Sequence, residues 1–146
     1  MRVGDFLRAS RQQLVTCTAE ETAETVAVRL SSCDIGAMPV CGADGALVGV
    51  VSERDLVRAF ARDSARLRER RVRDLMSREV VACAPEESMA DAQKLMNGHR
   101  LRHLPVVEGA RVVGMVSIRD TIVARLAETR DEVGIRRDAV AAAGHV

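Results

Sequence analysis

LVGVVSERDLV, residues 47–57, and VVGMVSIRDTI, residues 112–122, are two copies of one pattern. In each, an apolar run is broken by a glycine, resumes for two residues and ends in Ser, any residue, Arg, Asp. Gly49 and Gly114 lie 65 residues apart, as do Ser52 and Ser117, Arg54 and Arg119, and Asp55 and Asp120. One such string is common, but two in one register within 146 residues mark an internal duplication. The β-branched run of each copy reads as a buried strand, and its glycine as a place where another backbone or a ligand comes close. Ser52 and Ser117 are good N-cap residues. Each strand should therefore run straight into a helix whose first-turn amides and positive dipole end can hold an anion or a sugar hydroxyl.

The flanks repeat as well. Residues 3–9 predict a short helical turn that VRDLM at 72–76 echoes, and strands at 14–17 and 80–83 follow. Thr18 with Glu21 predicts a capping box opening a helix at about 19–32, with Ala23, Val26, Ala27 and Leu30 on one face. Its counterpart, about 86–97, should open at Pro85 and carry Met89, Ala92, Leu95 and Met96. IGAMPVC at 35–41 and LRHLPVV at 101–107 each place a proline where it suits the first residue of a strand. The signature helices are expected at about 53–64 and 118–127. Each half thus reads helix turn, strand, helix, strand, strand, helix: an α/β fold in tandem, with halves at 1–64 and 72–127, a linker at 65–71 inside a highly charged stretch, and an Ala-rich, charged tail at 128–146 that reads as a loose helix or frayed end.

Composition narrows the function. A formal charge of +1, no Trp, no Tyr and only Phe6 and Phe60 leave neither a strongly basic surface nor stacking platforms for nucleic acid. The charges of the linker alternate in sign, as on a solvated face. The start lacks the apolar run of a signal peptide and no stretch is long enough for a membrane span, so a cytoplasmic protein is the expectation. Its four cysteines (Cys17, Cys33, Cys41 and Cys83) should then be mostly thiols, and none forms a CxxC pair. His99 and His145 have no evident partner, so no zinc or catalytic role is assigned. No phosphate loop and no nucleophile beside a base and an acid are present, which argues against an enzyme.

The duplicated order, with its AMPV and HLPV strands and its GVVSERD and GMVSIRD endings, resembles the cystathionine-β-synthase (CBS) domain pair, the Bateman module. The resemblance covers about residues 1–127. The stretch DIGAMPVCGADG at 34–45 looks like the short stand-alone two-domain proteins of the hypoxic-response type. The resemblance implies two α/β halves related by a pseudo-twofold, each a small three-stranded sheet with two helices, and up to two clefts between them. It implies a regulatory sensor that binds an adenosine-type ligand (AMP, ADP, ATP, S-adenosylmethionine or NAD), requires no cofactor, pairs into a homodimer through its helices and answers to an unidentified protein target.

By the same resemblance Asp55 and Asp120 would grip the ribose diol, a fitting task for an acceptor-only carboxylate. The alternative is that each is only the third residue of a capped helix, although Asp is short for that reciprocal bond. Ser52 and Ser117 would touch ribose or phosphate, or serve as caps alone. Arg102 and His103 fall where phosphate-facing cations are expected, or else on a solvated lead-in to a strand. The first half has Gly36 and Ala37 there, so one cleft should be poor in cations unless Arg54 or Arg119 swings in. Thr16, Ala82, Met38 and Leu104 are expected near an adenine ring, or in the core. Cys17 and Cys41, at the ends of neighbouring strands, are either two small buried thiols or a redox pair; in the latter case the chain would be a ligand-independent, thiol- or metal-responsive stress protein on the same scaffold.

Overall fold

A computed structural model describes residues 1–143. Ten elements follow in order: α1 (Val3–Ser10), α2 (Ala23–Ser32), β1 (Ala37–Cys41), β2 (Leu47–Ser52), α3 (Glu53–Arg62), α4 (Val72–Leu75), α5 (Met89–His99), β3 (His103–Glu108), β4 (Arg111–Ser117) and α6 (Ile118–Ala143). A single 3-10 turn at Leu67–Glu69 interrupts the linker. β1 pairs antiparallel with β2, and β3 with β4; the register places Ala37 opposite Ser52 and His103 opposite Ser117. The mixed α/β pair of halves is as expected.

The third strand of each half is reduced to one parallel bridge, Cys17 with Val40 and Cys83 with Val106. The cause lies in the prolines. Both are the third residue of their strand, not the first, and both are fully buried. Cys17 N–H donates to the Pro39 carbonyl (3.1 Å) and Cys41 N–H to the Cys17 carbonyl (2.9 Å). Continuing that ladder one step would need an N–H on residue 39 to donate towards residue 15, and proline has none. Pro105 ends the ladder beyond Cys83 in the same way, after bonds of 3.0 and 2.8 Å. Residues 12–15, released from the sheet, become the wall of a cleft.

The helices also differ from expectation at their ends. α2 starts at Ala23, because Thr22 is the residue whose side chain accepts the Thr25 N–H (3.3 Å); one half of the expected Thr18–Glu21 box still forms in the turn before it, where Thr18 N–H donates to Glu21 Oε2 (2.7 Å), and Glu21 also pairs with Arg29 at 2.5 Å. α5 starts at Met89 behind the Ser88 cap, which leaves Pro85 in the preceding turn. α6 runs without a break through the expected boundary at 127 to Ala143, so that much of the tail is regular helix; His145 and the rest of 144–146 lie outside the described residues.

Two hydrophobic cores form, and the halves exchange their opening turns to complete them. One core holds Cys17, Val26, Leu30, Met38, Val40, Val51 and, from the second half, Val72. The other gathers Cys83, Met89, Ala92, Met96, Leu104, Val106, Val116 and Ala124 around Val3 and Phe6 of α1. The backbone bonds of the exchange come in matched pairs. Val3 N–H donates to Glu87 O (2.8 Å) as Val72 N–H does to Glu21 O (2.9 Å), and Gly4 N–H to Pro85 O (2.9 Å) as Arg73 N–H does to Ala19 O (3.0 Å). The signature glycines lie where these visitors pass. A methyl group on Gly114 would meet Leu7 Cδ1 at 2.5 Å, and one on Gly49 would meet Met76 sulfur at 2.7 Å and the Ser77 carbonyl at 2.9 Å.

Candidate functional site

A cleft of about 910 Å³ opens between the halves. Its apolar walls are Leu14, Val15 and Ile35 from the first half and Val113, Met115 and Ile118 from the second. Its polar groups are Ser117 and Asp120 at the start of α6, Arg102 and His103 at the start of β3, Arg119, and also Arg8, Gln12 and Asp34. Asp34, which adopts a left-handed conformation (φ 52°) just beyond α2, aims Ile35–Ala37 along one side.

The reciprocal cap forms in both repeats, short side chain notwithstanding. Ser52 N–H donates to Asp55 Oδ2 (2.8 Å) and Asp55 N–H to Ser52 Oγ (3.4 Å); Ser117 N–H donates to Asp120 Oδ2 (2.7 Å) and Asp120 N–H to Ser117 Oγ (3.1 Å). The repeats then diverge. Ser52 also donates its hydroxyl to Asp55 Oδ2 (3.0 Å), closing the box on itself. Ser117 makes no such donation among the described residues, and Asp120 Oδ1 receives only a long bond from Gln12 Nε2 (3.4 Å). The second box therefore faces the cleft with a spare carboxylate oxygen and a spare hydroxyl proton, next to the amide end of a long helix.

His103 stands at the centre. Its ring lies against Gly36, where a methyl group would come within 3.0 Å of Cε1 and 3.8 Å of Glu53 Oε2. Burial holds its pKa below the ordinary value; Asp120 and Glu53 pull it back up, and Arg102 pushes it further down. Gly36 thus makes room for the His103 ring, so at this position the asymmetry between repeats is a packing complement between the halves.

Of the residues singled out in the sequence, Ser117, Asp120, Arg119, Arg102 and His103 line the cleft. Ser52, Arg54 and Asp55 do not. Met38 and Leu104 are fully buried and serve the two cores instead of an adenine surface, because alternate residues of β1 and β3 face inward. Thr16 is also off the cleft, its carbonyl held by Arg29 Nη1 at 2.9 Å. Arg8, Gln12, Asp34 and Glu53 gave no sequence signal; the first two arrive with α1, whose crossing to the other half nothing in its own residues announces. Cys17 and Cys41 are free thiols. Cys17 is buried, its pKa pushed up to about 12 by desolvation and then by Glu21, with Arg29 opposing and Cys41 adding a little; burial raises Cys41 too. Thiols so held are poor nucleophiles and poor metal ligands. Among the described residues no three His, Cys, Asp or Glu side chains cluster as a metal site, and no helix is long and apolar enough to cross a membrane.

Comparison with known proteins places this geometry in context. A family model for the CBS domain matches residues 3–62 and again 72–126. The mitochondrial CBS domain-containing protein CBSX3 of Arabidopsis thaliana is 31% identical over 121 residues, which is 80% of this chain but only 59% of that protein's length. Hypoxic response protein 1 of Mycobacterium tuberculosis is 30% identical over 107 residues, covering 73% of this chain and 75% of the other. Among solved structures, the CBS-domain containing protein ATU1752 from Agrobacterium tumefaciens superposes with a TM-score of 0.80 at 34% identity, over 86% of this chain and 99% of that one. The CBS domain pair of protein MJ0100, in complex with 5-methylthioadenosine and S-adenosyl-L-methionine, shares the fold at a TM-score of 0.76 and 24% identity, over 89% and 98% of the chains.

Proposed function

The chain belongs to the CBS-domain family, and on that premise we propose that it is a non-catalytic regulatory module that binds an adenosine-type ligand in the cleft beside α6. One observation carries the reading: the Ser117–Asp120 box lines the cleft, with Oδ1 held only by the long bond from Gln12 and with a hydroxyl free to donate, as a ribose diol would need. Leu14, Val15, Val113 and Met115 offer flat apolar surface to a base, and Arg8, Arg102 and Arg119 offer charge to a phosphate. The adenosine compounds held by the MJ0100 domain pair support the class of ligand. Its choice among AMP, ADP, ATP, S-adenosylmethionine and NAD rests on how the three arginines weigh against Asp34 and Asp120.

Occupancy would be reported through shape, and a ligand shifts that equilibrium only by its differential affinity for two shapes. The exposed apolar side chains of α3 and early α6, namely Val57, Phe60, Ile122, Val123 and Leu126, suit a homodimer contact. Relatedness to a hypoxic response protein favours a role in stress; we further propose a cytoplasmic location and an unidentified protein target.

The two aspartates provide the test, because each caps a helix and only one lines the cleft. Asp55→Ala and Asp120→Ala should cost similar stability without ligand, about 0.5–2 kcal/mol. With ligand at a hundredfold over its dissociation constant, thermal shift should show about 2.7 kcal/mol of stabilisation in the parent chain and in Asp55→Ala. Asp120→Ala should lose roughly 1.5–3 kcal/mol of binding, about ten- to a hundredfold in affinity. Equal loss in both variants, or no shift with any of the five compounds, would defeat the proposal.

A further inference from the structure

We infer that the second half of α6 is a homotypic docking segment, in which the helices of two copies of this chain cross antiparallel at Gly134. The buried residues of α6, Thr121 and Ala124, lie in its first two turns, and Glu128 pairs with the amino terminus. Beyond that, every residue from Thr129 to Ala143 except Gly134 is exposed, with Val133 (43%), Ile135 (69%) and Val140 (73%) among them. A helix of about 12–15 residues is marginal in water when it packs on nothing. Gly134 makes this one weaker still, since glycine is the poorest ordinary helix former, and nothing in the protomer accounts for it: a methyl group there would have no neighbour within 4 Å. The space beside Gly134 is open to another backbone.

The charges say which backbone. The sequence about the glycine reads Arg130, Asp131, Glu132, Val133, Gly134, Ile135, Arg136, Arg137, Asp138. The ion pairs of the described residues use none of the six charged side chains in this run. In an antiparallel crossing centred on Gly134, each residue meets the one equally far beyond the centre. Asp131 then meets Arg137, Arg130 meets Asp138, Glu132 meets Arg136, and Val133 meets Ile135. Every charged pair is of opposite sign, and the twofold axis makes each pair twice. Positions three and four residues from the glycine share its face, so the pairs of Asp131 with Arg137 and Arg130 with Asp138 flank the crossing directly. Ala127 and Ala141, seven residues to either side, keep the approach close. A parallel pairing would set Asp131 against Asp131 and Arg137 against Arg137. The occupant is thus a second copy of the same helix, and its direction is fixed. This contact lies beyond the face of α3 and early α6, and its failure would leave the ligand reading untouched.

Cysteine cross-linking of the full chain in a Cys33→Ser background tests it. Gly134→Cys should give a disulfide-linked dimer on mild oxidation. Ala127→Cys and Ala141→Cys should each give none alone and should cross-link with one another when mixed. In sedimentation, Arg137→Glu should weaken self-association by tenfold or more, and Asp131→Arg added to it should restore the parent value, because the pair is then remade with its signs exchanged. No link at 134, homotypic links at both 127 and 141, or an Arg137→Glu chain that associates as the parent does would each overturn the inference.

Discussion

His103 is the residue on which most of the cleft's physics converges, and its neighbours give that physics a sign. Its pKa in the folded chain is lowered by burial, with Arg102 adding to that and Asp120 and Glu53 opposing it. The unfolded chain, whose imidazole titrates near the ordinary value of about 6.5, binds a proton first as pH falls. Stability from this group is therefore complete above about pH 6.5 and is lost as pH drops through the folded value. His103→Asn should flatten that part of the profile: denaturant unfolding followed between pH 7.5 and 5 should show a smaller loss of stability than in the parent chain. An unchanged slope would mean that another group carries it. A bound phosphate would favour the charged imidazole, so a phosphorylated ligand should bind more tightly on mild acidification, whereas an uncharged adenosine should gain nothing from His103.

At the scale of elements, the two signature strands resemble one another more than their surroundings do. Gly49 and Gly114 occupy equivalent places, yet Gly114 faces the movable end of Leu7 whereas Gly49 faces the Met76 sulfur and the fixed carbonyl of Ser77, which is also tied to Val50 by bonds of 2.9 and 3.0 Å. Overpacking costs about 1–3 kcal/mol. Gly114→Ala should fall at the lower end and be relieved by Leu7→Ala, while Gly49→Ala should fall at the upper end and resist relief by Met76→Ala. Equal, equally rescued midpoints would show that the backbone gives way. The difference also explains what could be read beforehand. The duplication, the four paired strands, the signature caps and the mixed α/β class were legible because local pattern decides them: Ser52 and Ser117 cap whatever surrounds them. The glycines were legible as close approaches, but not the identity of what approached. Ending a third strand after one bridge needed the knowledge that Pro39 falls where the neighbouring strand would next seek an N–H, and separating Asp120 from Asp55 needed the position of the cleft, which only one of them lines. Those are facts of tertiary geometry, and identical motifs cannot carry them.

For the molecule as a whole, the exchange of α1 and α4 sets how the halves unfold. Val3 and Phe6 complete the core of the second half, Val72 completes that of the first, and the matched bonds of residues 3–4 and 72–73 lock both turns in place. Neither half owns a whole core, and at about seventy residues neither has stability to spare. If α1 lets go, the second half loses its lid; as that half loosens, α4 leaves the first core and the damage returns. The two should therefore melt as one cooperative unit, in spite of having two cores. Val3→Ala, at a site with no exposure, removes about 2–3 kcal/mol through lost burial and a residual cavity. Native-state hydrogen exchange can locate that loss. Amides of β1 and β2, which Val3 does not adjoin, should lose as much protection as those of β3 and β4, because the most protected amides of both exchange only through the shared global opening. A drop confined to β3 and β4 would instead mean two independent domains, and a ligand seated between them could then hold one half folded without informing the other.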